Sequence, residues 1–506
     1  MSPKRLLRPI EILIDRLLDP ARRERTVLAL LVGYLALWTL YGVFSKASQD
    51  VHVDMSELLA WGRAPALGYP KHPPLAAWMV RAWFAIFPVS DWAYYLLAMV
   101  TATLALWIVW RLMTRYLDTE KQVLGLALLT FIPFFNFHAL KFNVNTVLLP
   151  LWAATTLWFL RSYQTRSIVY AALAGVGAAG SMLGKYWSVF LLAGLGIAAL
   201  LDRRRGEYFR SAAPWVTIAT GGILLGPHLA WLVANSFETF SYALHGQEPK
   251  PYQEIALRTA GYLGGAAGYV ALPVALAWLN TRPSPAALRD TLLPYEPDRR
   301  LIGLAFWVPL LLPAIVALIF RVELTSLWTM PAFSLLPIVL LSSPLIQVER
   351  LALVRIVAFA VLLPFLALAF APVSAWISHR GGIMPAAVHS SILAPRVAAE
   401  WRATTDRPLK FVGGSADLAY GVAFYLPGAP SAYPEFSREL APWIDPAQVA
   451  RDGMAIVCMA NDSACRASAQ QKGVPARQVE VEAVRSYLGI PGKPERYVIL
   501  IIPPRE

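Results

Sequence analysis

The sequence predicts an α-helical polytopic membrane protein that ends in a soluble α/β domain. Of its 506 residues, 57% are hydrophobic and only 15% are charged, so the chain is far more apolar than a soluble protein. The apolar residues form runs near the roughly 20 residues that cross a bilayer. From about Ser378 these runs shorten to strand length. We therefore expect a transmembrane domain over 1–377 and a soluble α/β domain over 378–506.

About eleven transmembrane helices are expected from the apolar runs. The run from Leu75 to Phe87 is too short to span the bilayer and is expected to lie in the membrane interface. Residues 1–25 alternate charged and apolar side chains, which predicts an amphipathic helix on the cytoplasmic surface instead of a cleaved signal peptide. The expected spans lie near 27–46, 92–113, 122–140, 144–160, 168–184, 186–201, 212–234, 259–280, 301–320, 325–343 and 351–374.

The positions of Lys and Arg set the expected orientation. The net charge is +13, and the basic residues gather in short clusters between apolar runs, which is typical of cytoplasmic loops and argues against nucleic-acid binding. With the N-terminus inside, an odd number of spans places the C-terminal domain on the outer side of the membrane of a multi-pass protein. All seven histidines then fall at or beyond the outer membrane surface.

The C-terminal domain shows strand and helix patterns in turn. KFVGG, MAIVCM and RYVILII are predicted as buried strands, and DLAYGVAFYL, DPAQVARDG and DSACRASAQQKG as helices or helix starts. Cys458 and Cys465 are the only cysteines in the chain. A disulfide between them is expected if the domain is extracytoplasmic, and two unpaired buried cysteines are the alternative.

The first outer loop, residues 48–91, carries the main candidates for catalysis. Asp54 and Glu57 are three residues apart on a predicted helix, which places both carboxylates on one face. Further on, Lys71 and His72 precede two prolines that stiffen the backbone. An acid pair followed by a cation pair predicts a catalytic site, and the alternative is that the acids form the solvated face of an interfacial helix.

Other outer loops and helix ends supply candidates for substrate binding. The polar residues around Asn143 exceed what a turn needs, and costly polar groups at a membrane-embedded helix end tend to be functional. Lys185 lies on the outer side, against the positive-inside bias, which favours anion binding over simple snorkelling. For His228 a satisfied core histidine is the first expectation. The substrate-binding candidates are Tyr69, Lys71, His72, His138, Lys141, Asn143, Asn145, Lys185, Tyr186, His228, Glu238 and His245.

The motifs of the first outer loop resemble those of the GT-C membrane glycosyltransferases. The shared features are the loop acids, the stretch GY-x-KHPPL-x-x-W from Gly68 to Trp78, the later LGKYW and the C-terminal outer domain. The chain is most similar to the bacterial branch with protein mannosyltransferase-like enzymes, lipid A aminoarabinose transferases and rhizobial galacturonosyl transferases. The resemblance implies a protein of the bacterial inner membrane with its 378–506 domain in the periplasm. It also implies a periplasmic cavity, a polyprenyl-phosphate sugar donor and an acceptor outside the cytoplasmic membrane.

The resemblance also implies roles for individual residues. Asp54 matches the loop acid regarded as catalytic in these enzymes, and Lys71 or His72 falls where an aminoarabinose transferase has a phosphate-contacting lysine. Many relatives place another Asp at the start of the fourth span, where this chain has Asn143 and Asn145. This departure puts a two-acid or metal-dependent mechanism in doubt. No cofactor is therefore predicted, and a divalent metal is left as an option.

The expected function is transfer of a monosaccharide from a polyprenyl-phosphate donor to a lipid, lipopolysaccharide or related envelope molecule. Such a reaction needs a base for the acceptor proton and cations for the departing phosphate. The main alternative, a lipid or solute transporter or flippase, would place polar residues near the midplane in two matching halves. The predicted spans are nearly free of ionisable groups. A non-catalytic scaffold would leave the loop acids and cations unexplained.

Overall fold

The computed structural model describes residues 3–244, 250–382, 384 and 386–505. His245, one of the predicted substrate contacts, lies outside these residues. The contacts divide the chain into two compact units. The first unit comprises Met1–Trp38, Lys71–Leu75 and Ala98–Leu366, and the second comprises Thr39–Pro70, Ala76–Leu97 and Ala367–Glu506. The predicted helical class with a C-terminal α/β domain is confirmed.

Seventeen α-helices precede the C-terminal sheet domain within the described residues. Four short 3₁₀ segments, Pro133–Phe135, Tyr186–Ser188, Ser326–Thr329 and Ala332–Leu335, interrupt this part of the chain. The helices are α1 (Pro3–Leu18), α2 (Arg23–Ser45), α3 (Val53–Arg63), α4 (Leu75–Phe84), α5 (Asp91–Met113), α6 (Thr119–Leu129), α7 (Val144–Thr165), α8 (Ile168–Gly184), α9 (Val189–Leu201), α10 (Arg205–Phe209), α11 (Ala213–Ala234), α12 (Glu238–Leu244), α13 (Tyr252–Thr281), α14 (Pro285–Leu292), α15 (Pro297–Phe320), α16 (Leu336–Leu341) and α17 (Arg350–Gly381).

Six of the described helices are long and apolar enough to cross a membrane by length and composition: α2, α5, α11, α13, α15 and α17. The number of eleven crossings stays a prediction. Two predicted spans do not form one continuous helix. Residues 122–140 form α6, a 3₁₀ turn at Pro133 and a polar loop, and residues 325–343 form two 3₁₀ segments and α16. Proline explains both interruptions, because it removes a helical donor and disfavours helix before it.

Small residues let the short helix α8 approach its neighbours closely. A Cβ on Gly175 would lie 2.6 Å from the backbone oxygen of Thr217 on α11, and one on Gly177 would lie 2.6 Å from the hydroxyl of Thr155 on α7. Close backbone approach of this kind replaces the missing hydrophobic driving force between helices in lipid. The end of α8 is thereby held beside the start of α7.

The other ends of these helices carry arginine ion pairs. Arg166, after α7, pairs with Glu207 on α10. Arg204, after α9, pairs with Asp202 at 3.0 Å and with Asp298 at the start of α15 at 2.7 Å. These arginine-rich loops are the ones that the positive-inside rule predicts to be cytoplasmic.

The second unit contains a five-stranded mixed sheet. Its order is β2-β1-β3-β7-β4, with β1 parallel to β2 and β3, and with β7 antiparallel to β3 and β4. The elements after α17 are α18 (Ala386–Arg402), β1 (Phe411–Gly414), α19 (Ala416–Tyr425), β2 (Ser431–Pro434), α20 (Pro446–Asp452), β3 (Met454–Met459), α21 (Ser463–Gln470), β4 (Arg477–Ala483), β5 (Ser486–Tyr487), β6 (Ile490–Pro491) and β7 (Glu495–Ile502). The three predicted strands match β1, β3 and β7.

Both faces of the central strands are buried. Val457 and Ile499 face the apolar cluster that α18 and α19 cover, whereas Ile456 and Leu500 face a second cluster. Burial on both sides explains why these strands appear in the sequence as continuous apolar runs. The second cluster contains both cysteines, and a disulfide joins Cys458 to Cys465 across a Cα–Cα distance of 5.8 Å. The structure thus favours the disulfide over two unpaired cysteines.

The helix α3, which carries the loop acids, packs within the second unit. Val53 and Ala60 of α3 contact the apolar cluster covered by α19. Arg63, at the end of α3, donates a hydrogen bond to the backbone oxygen of Ala423 on α19 at 3.1 Å. A Cβ on Gly62 would lie 2.9 Å from the backbone oxygen of Ala77 on α4. These contacts fix α3 and α4 in one orientation.

Candidate functional site

Lys185 occupies a break between two helices of the first unit. It follows the last residue of α8 with extended backbone angles, φ −165° and ψ 137°, before the 3₁₀ turn at Tyr186–Ser188 begins. Its ammonium group donates a hydrogen bond to the amide oxygen of Asn145 at 2.8 Å. It also lies 4.5 Å from the ring centroid of Trp328. An amide and an aromatic face therefore orient this cation.

The next residue along the chain makes a second polar contact. The hydroxyl of Tyr186 lies 2.8 Å from Nε2 of His228 on α11, and the Tyr186 ring stacks on Phe240 with centroids 4.6 Å apart. His228 is only 1% exposed and also stacks on Trp231. The first expectation for His228, a satisfied core histidine, agrees with this burial, and the contact with Tyr186 adds it to the Lys185 cluster.

Lys71 approaches the same short helix, α12, from the first outer loop. Its ammonium group lies 5.7 Å from the ring centroid of Tyr242, two residues after Phe240 on α12. His72 is half-buried in the same segment of the first unit. The aromatic residues of α12 thus contact Lys71 and Tyr186, the residue that follows Lys185. We call the residues Lys71, Asn145, Lys185, Tyr186, His228, Phe240, Tyr242 and Trp328 the cation cluster.

Other sequence-predicted residues of the first unit have different surroundings. Asn143 is the N-cap of α7 and accepts hydrogen bonds from the backbone amides of Asn145, at 3.0 Å, and Thr146, at 3.4 Å. His138 contacts the rings of Phe134 and Tyr269. Asn143 therefore has a structural role as a cap, and His138 lies against aromatic rings.

Two further predicted residues contribute backbone contacts. The carbonyl of Lys141 accepts a hydrogen bond from the Thr146 hydroxyl at 3.0 Å. Glu238 is the first residue of α12, and its amide donates to the carbonyl of Asn235 at 3.0 Å. A carboxylate in the first turn of a helix is favourable because of the helix dipole.

Two cations at the start of α13 are already engaged with acids. Lys250 pairs with Glu254 and Glu323, and Arg258 pairs with the same two carboxylates at 2.8 Å each. Because both positive charges face two carboxylates, this pair of cations is a poor candidate for binding a phosphate. Lys250 therefore serves as a control for the lysines of the cation cluster.

The two predicted catalytic acids lie on α3 in the second unit. Asp54 is in the first turn of α3, about one third exposed, with its carboxylate 3.4 Å from Nδ1 of His52. The imidazole of His52 also accepts a hydrogen bond from the backbone amide of Asp54 at 3.1 Å. Glu57 lies one turn later and is only 9% exposed. Of the two acids, Asp54 is the one more accessible to a substrate.

Tyr69 stabilises the loop that follows α3. Its side chain is fully buried and stacks on Trp61 with centroids 5.1 Å apart. Its hydroxyl donates to the carbonyl of Trp61 at 2.8 Å and accepts from the amide of Ala66 at 3.2 Å. These contacts give Tyr69 a role in the shape of the loop, and its contact with a substrate stays a prediction.

One buried ion pair was missed by sequence reasoning. Asp50, 5% exposed, pairs with Arg485 and accepts a hydrogen bond from the hydroxyl of Ser391 at 2.6 Å. Burial raises the pKa of the Asp50 carboxyl, and Arg485 opposes that shift. Asp50 is the first acidic residue after the first apolar run, and this position could have pointed to it from the sequence alone. The pair anchors this segment to the connection between β4 and β5, and breaking such a pair would cost about 3–5 kcal/mol.

Within the part of the chain that the structure describes, no group of three or more His, Cys, Asp or Glu side chains is arranged to hold a metal ion.

The sequence matches a known family over part of its length. Residues 71–231 match the model of the dolichyl-phosphate-mannose-protein mannosyltransferase family. The chain is 24% identical over 235 residues to the lipid A galacturonosyltransferase RgtD of Rhizobium johnstonii, covering 46% of this chain and 48% of that protein. It is 28% identical over 213 residues to the lipopolysaccharide core galacturonosyltransferase RgtB of the same organism, covering 41% and 42%. The chain thus spans just under half the length of these curated relatives.

The fold matches solved structures over almost the whole chain. ArnT from Cupriavidus metallidurans bound to undecaprenyl phosphate aligns with a TM-score of 0.60 at 12% identity, covering 94% of this chain and 97% of that one. The apo state of the same protein aligns with a TM-score of 0.60 at 11% identity. At this identity the alignment establishes a shared fold. The family match over residues 71–231, the two partial relatives and the shared fold together support the predicted resemblance to the GT-C membrane glycosyltransferases.

Proposed function

We propose that this protein transfers a monosaccharide from a polyprenyl-phosphate donor to a lipid A or lipopolysaccharide-type acceptor on the periplasmic side of the inner membrane. The observation that carries the proposal is the setting of Lys185, whose ammonium is oriented by Asn145 and Trp328 beside the Tyr186–His228 pair. These residues other than Trp328 fall within 71–231, the segment that matches the family. A structure with the same fold contains bound undecaprenyl phosphate.

Lys185 is proposed to bind the donor phosphate. A lysine ammonium forms charge-assisted hydrogen bonds with phosphate, and these bonds strengthen as the departing group gains negative charge. Lys71, over the ring of Tyr242, is a second candidate for the same role. The exposed rings of Phe240 and Tyr242 offer apolar faces for the sugar or the prenyl chain.

Asp54 is proposed as the general base. The hydroxyl of the acceptor gives its proton to the Asp54 carboxylate while its oxygen forms a bond with the anomeric carbon of the sugar. The bond between that carbon and the phosphate oxygen breaks, and polyprenyl phosphate leaves with the electron pair. Asp54 suits this role because it is a partly exposed carboxylate on a rigidly packed helix.

Two observations support a periplasmic position for the C-terminal domain. The first is the Cys458–Cys465 disulfide, because disulfides persist in oxidising compartments such as the periplasm. The second is the set of arginine-rich loops that follow α7 and α9, because cytoplasmic loops are rich in Lys and Arg. A periplasmic reporter enzyme fused after the last residue should be active, and the same reporter fused after Arg205 should be inactive. The opposite pattern would reverse the orientation.

The function is tested by mass spectrometry of envelope lipids. Cells that lack the gene are complemented with the wild type, with Asp54→Asn or with Lys250→Met as the matched control. We expect one lipid A or lipopolysaccharide species to gain the mass of one monosaccharide with the wild type and with the control. The same species should stay unmodified with Asp54→Asn. Identical spectra from cells with and without the wild-type gene would contradict the proposal.

A further inference from the structure

A large apolar groove lies in the first unit, away from the cation cluster. It has a volume of about 520 Å³ and is lined by residues of α1, α2, α5, α6 and α17. This volume is within the range of roughly 300–1,000 Å³ that is typical of ligand sites. Among the described residues that line the groove, only Arg16 and Arg25 are charged. The groove therefore combines an apolar interior with two positive charges.

Of the four arginines between residues 16 and 25, two have partners within the chain. Arg23 donates hydrogen bonds to the carbonyls of Leu17 and Leu18, both at 3.1 Å, and thus caps the end of α1. Arg22 pairs with Asp19 at 3.4 Å. Arg16 and Arg25, the two that line the groove, make no ion pair or side-chain hydrogen bond with any residue that the structure describes.

The nearby acids are engaged elsewhere. Asp15 pairs with Arg350 at 2.7 Å, and Glu24 pairs with Arg111 at 3.3 Å. Each of these carboxylates faces an arginine that does not line the groove. The charges of Arg16 and Arg25 are therefore available to an anion.

The groove has the length of one bilayer leaflet. Along α2 its lining runs from Arg25 to Leu37, which is about 18 Å at the rise of an α-helix. Half the hydrocarbon core of a bilayer is about 15 Å thick. A single acyl chain from the leaflet whose headgroups meet Arg25 would thus fill the groove from end to end.

We propose that this groove binds an anionic phospholipid, with one acyl chain along α2 and the headgroup phosphate between Arg16 and Arg25. The arginines belong to the N-terminal segment that is predicted to lie on the cytoplasmic side, where anionic headgroups attract basic residues. The site is independent of sugar transfer and does not rest on the proposed function. Its ligand is a membrane phospholipid and not the polyprenyl donor.

Gly33 provides a substitution that blocks the groove without disturbing its walls. Gly33 lines the groove on α2, and a Cβ added there would meet no atom within 4 Å. Gly33→Leu should therefore fold normally and fill the space of the acyl chain. Gly261→Leu is the matched control, because Gly261 on α13 also has open space around it and does not line the groove.

The proposal is tested by lipid retention in native mass spectrometry. The full chain is purified in mild detergent and titrated with phosphatidylglycerol or phosphatidylcholine. We expect retention of one phosphatidylglycerol, lowered about fivefold by Arg16→Gln or Arg25→Gln alone, since each basic residue near an anionic lipid supplies roughly that factor. Arg22→Gln and Gly261→Leu should retain the lipid as the wild type does, and Gly33→Leu should lose it.

Three outcomes would overturn the proposal. Equal retention of phosphatidylcholine and phosphatidylglycerol would show that charge does not select the lipid. Retention that Gly33→Leu leaves unchanged, with the variant folded as judged by its thermal unfolding, would place the lipid elsewhere. Retention of a polyprenyl phosphate in preference to phosphatidylglycerol would assign the groove to the donor.

Discussion

Replacing Lys185 by Met tests the proposed phosphate ligand most sharply. Methionine keeps an unbranched apolar side chain of similar length and removes only the ammonium group. The hydrogen bond to Asn145 at 2.8 Å and the contact with Trp328 at 4.5 Å are lost with it. If Lys185 stabilises the departing phosphate, the variant loses both donor affinity and turnover.

The expected magnitudes differ for stability and for activity. Losing one hydrogen bond to a charged group and one cation–π contact should lower the free energy of unfolding by about 1–3 kcal/mol. Losing one preorganised donor to the transition state should lower turnover by roughly 10²–10³-fold. Because a loss of about 1–3 kcal/mol is less than the roughly 5–15 kcal/mol by which native proteins are stable, a folded variant with little activity is the expected result.

The assay measures sugar transfer and donor binding on the purified variant in detergent, with thermal unfolding as the check on folding. Lys250→Met is the matched control, since Lys250 is paired with Glu254 and Glu323, and it should retain wild-type turnover. Lys185→Arg should recover part of the activity because it keeps the charge. If Lys185→Met binds the donor and turns over as the wild type does, Lys185 does not hold the phosphate.

Three further predictions concern the second unit. Asp54→Asn should leave thermal unfolding unchanged and abolish transfer, and near-normal turnover would make Glu57 the candidate base. Burial of His389, with help from the charge of Arg485, lowers its pKa from 6.5 to about 4, so the neutral form is favoured in the folded state. The free energy of unfolding should therefore fall by up to about 3 kcal/mol as the pH drops from 6.5 to 4. In His389→Gln the free energy of unfolding, measured by chemical denaturation, should depend less on pH over this range. The disulfide closes a loop with a sequence separation of 7. Cys458→Ala should therefore lower the free energy of unfolding by about 2–3 kcal/mol. An unchanged thermal midpoint would argue against a stabilising bridge.

The fold class and the central strands were predictable because they depend on local composition and periodicity. Strands β1, β3 and β7 are buried on both faces and therefore appear as apolar runs. The strand β2 was missed because Ser431–Pro434 has only four residues and ends in proline. The strand β4 was missed because its exposed charged residues interrupt the apolar pattern of Arg477–Ala483.

The candidate site was predictable only in part, because several of its contacts join distant parts of the chain. The residue types at Asn145 and Lys185 pointed to a site, but their hydrogen bond spans 40 positions, and no local pattern pairs them. Nothing in the sequence marked Trp328 as a site residue, since it lies in an apolar run. Asp50 and Arg485 are 435 positions apart, so their ion pair required the folded chain.

The central claim is that the chain transfers a sugar from a polyprenyl-phosphate donor. The most direct measurement mixes the purified protein in detergent with a polyprenyl-phosphate sugar labelled in the sugar, and with lipid A as acceptor. The account predicts labelled lipid A with the wild type, no label with Asp54→Asn, and no label when a nucleotide sugar replaces the lipid donor. Transfer from the nucleotide sugar, or wild-type labelling by Asp54→Asn, would contradict it.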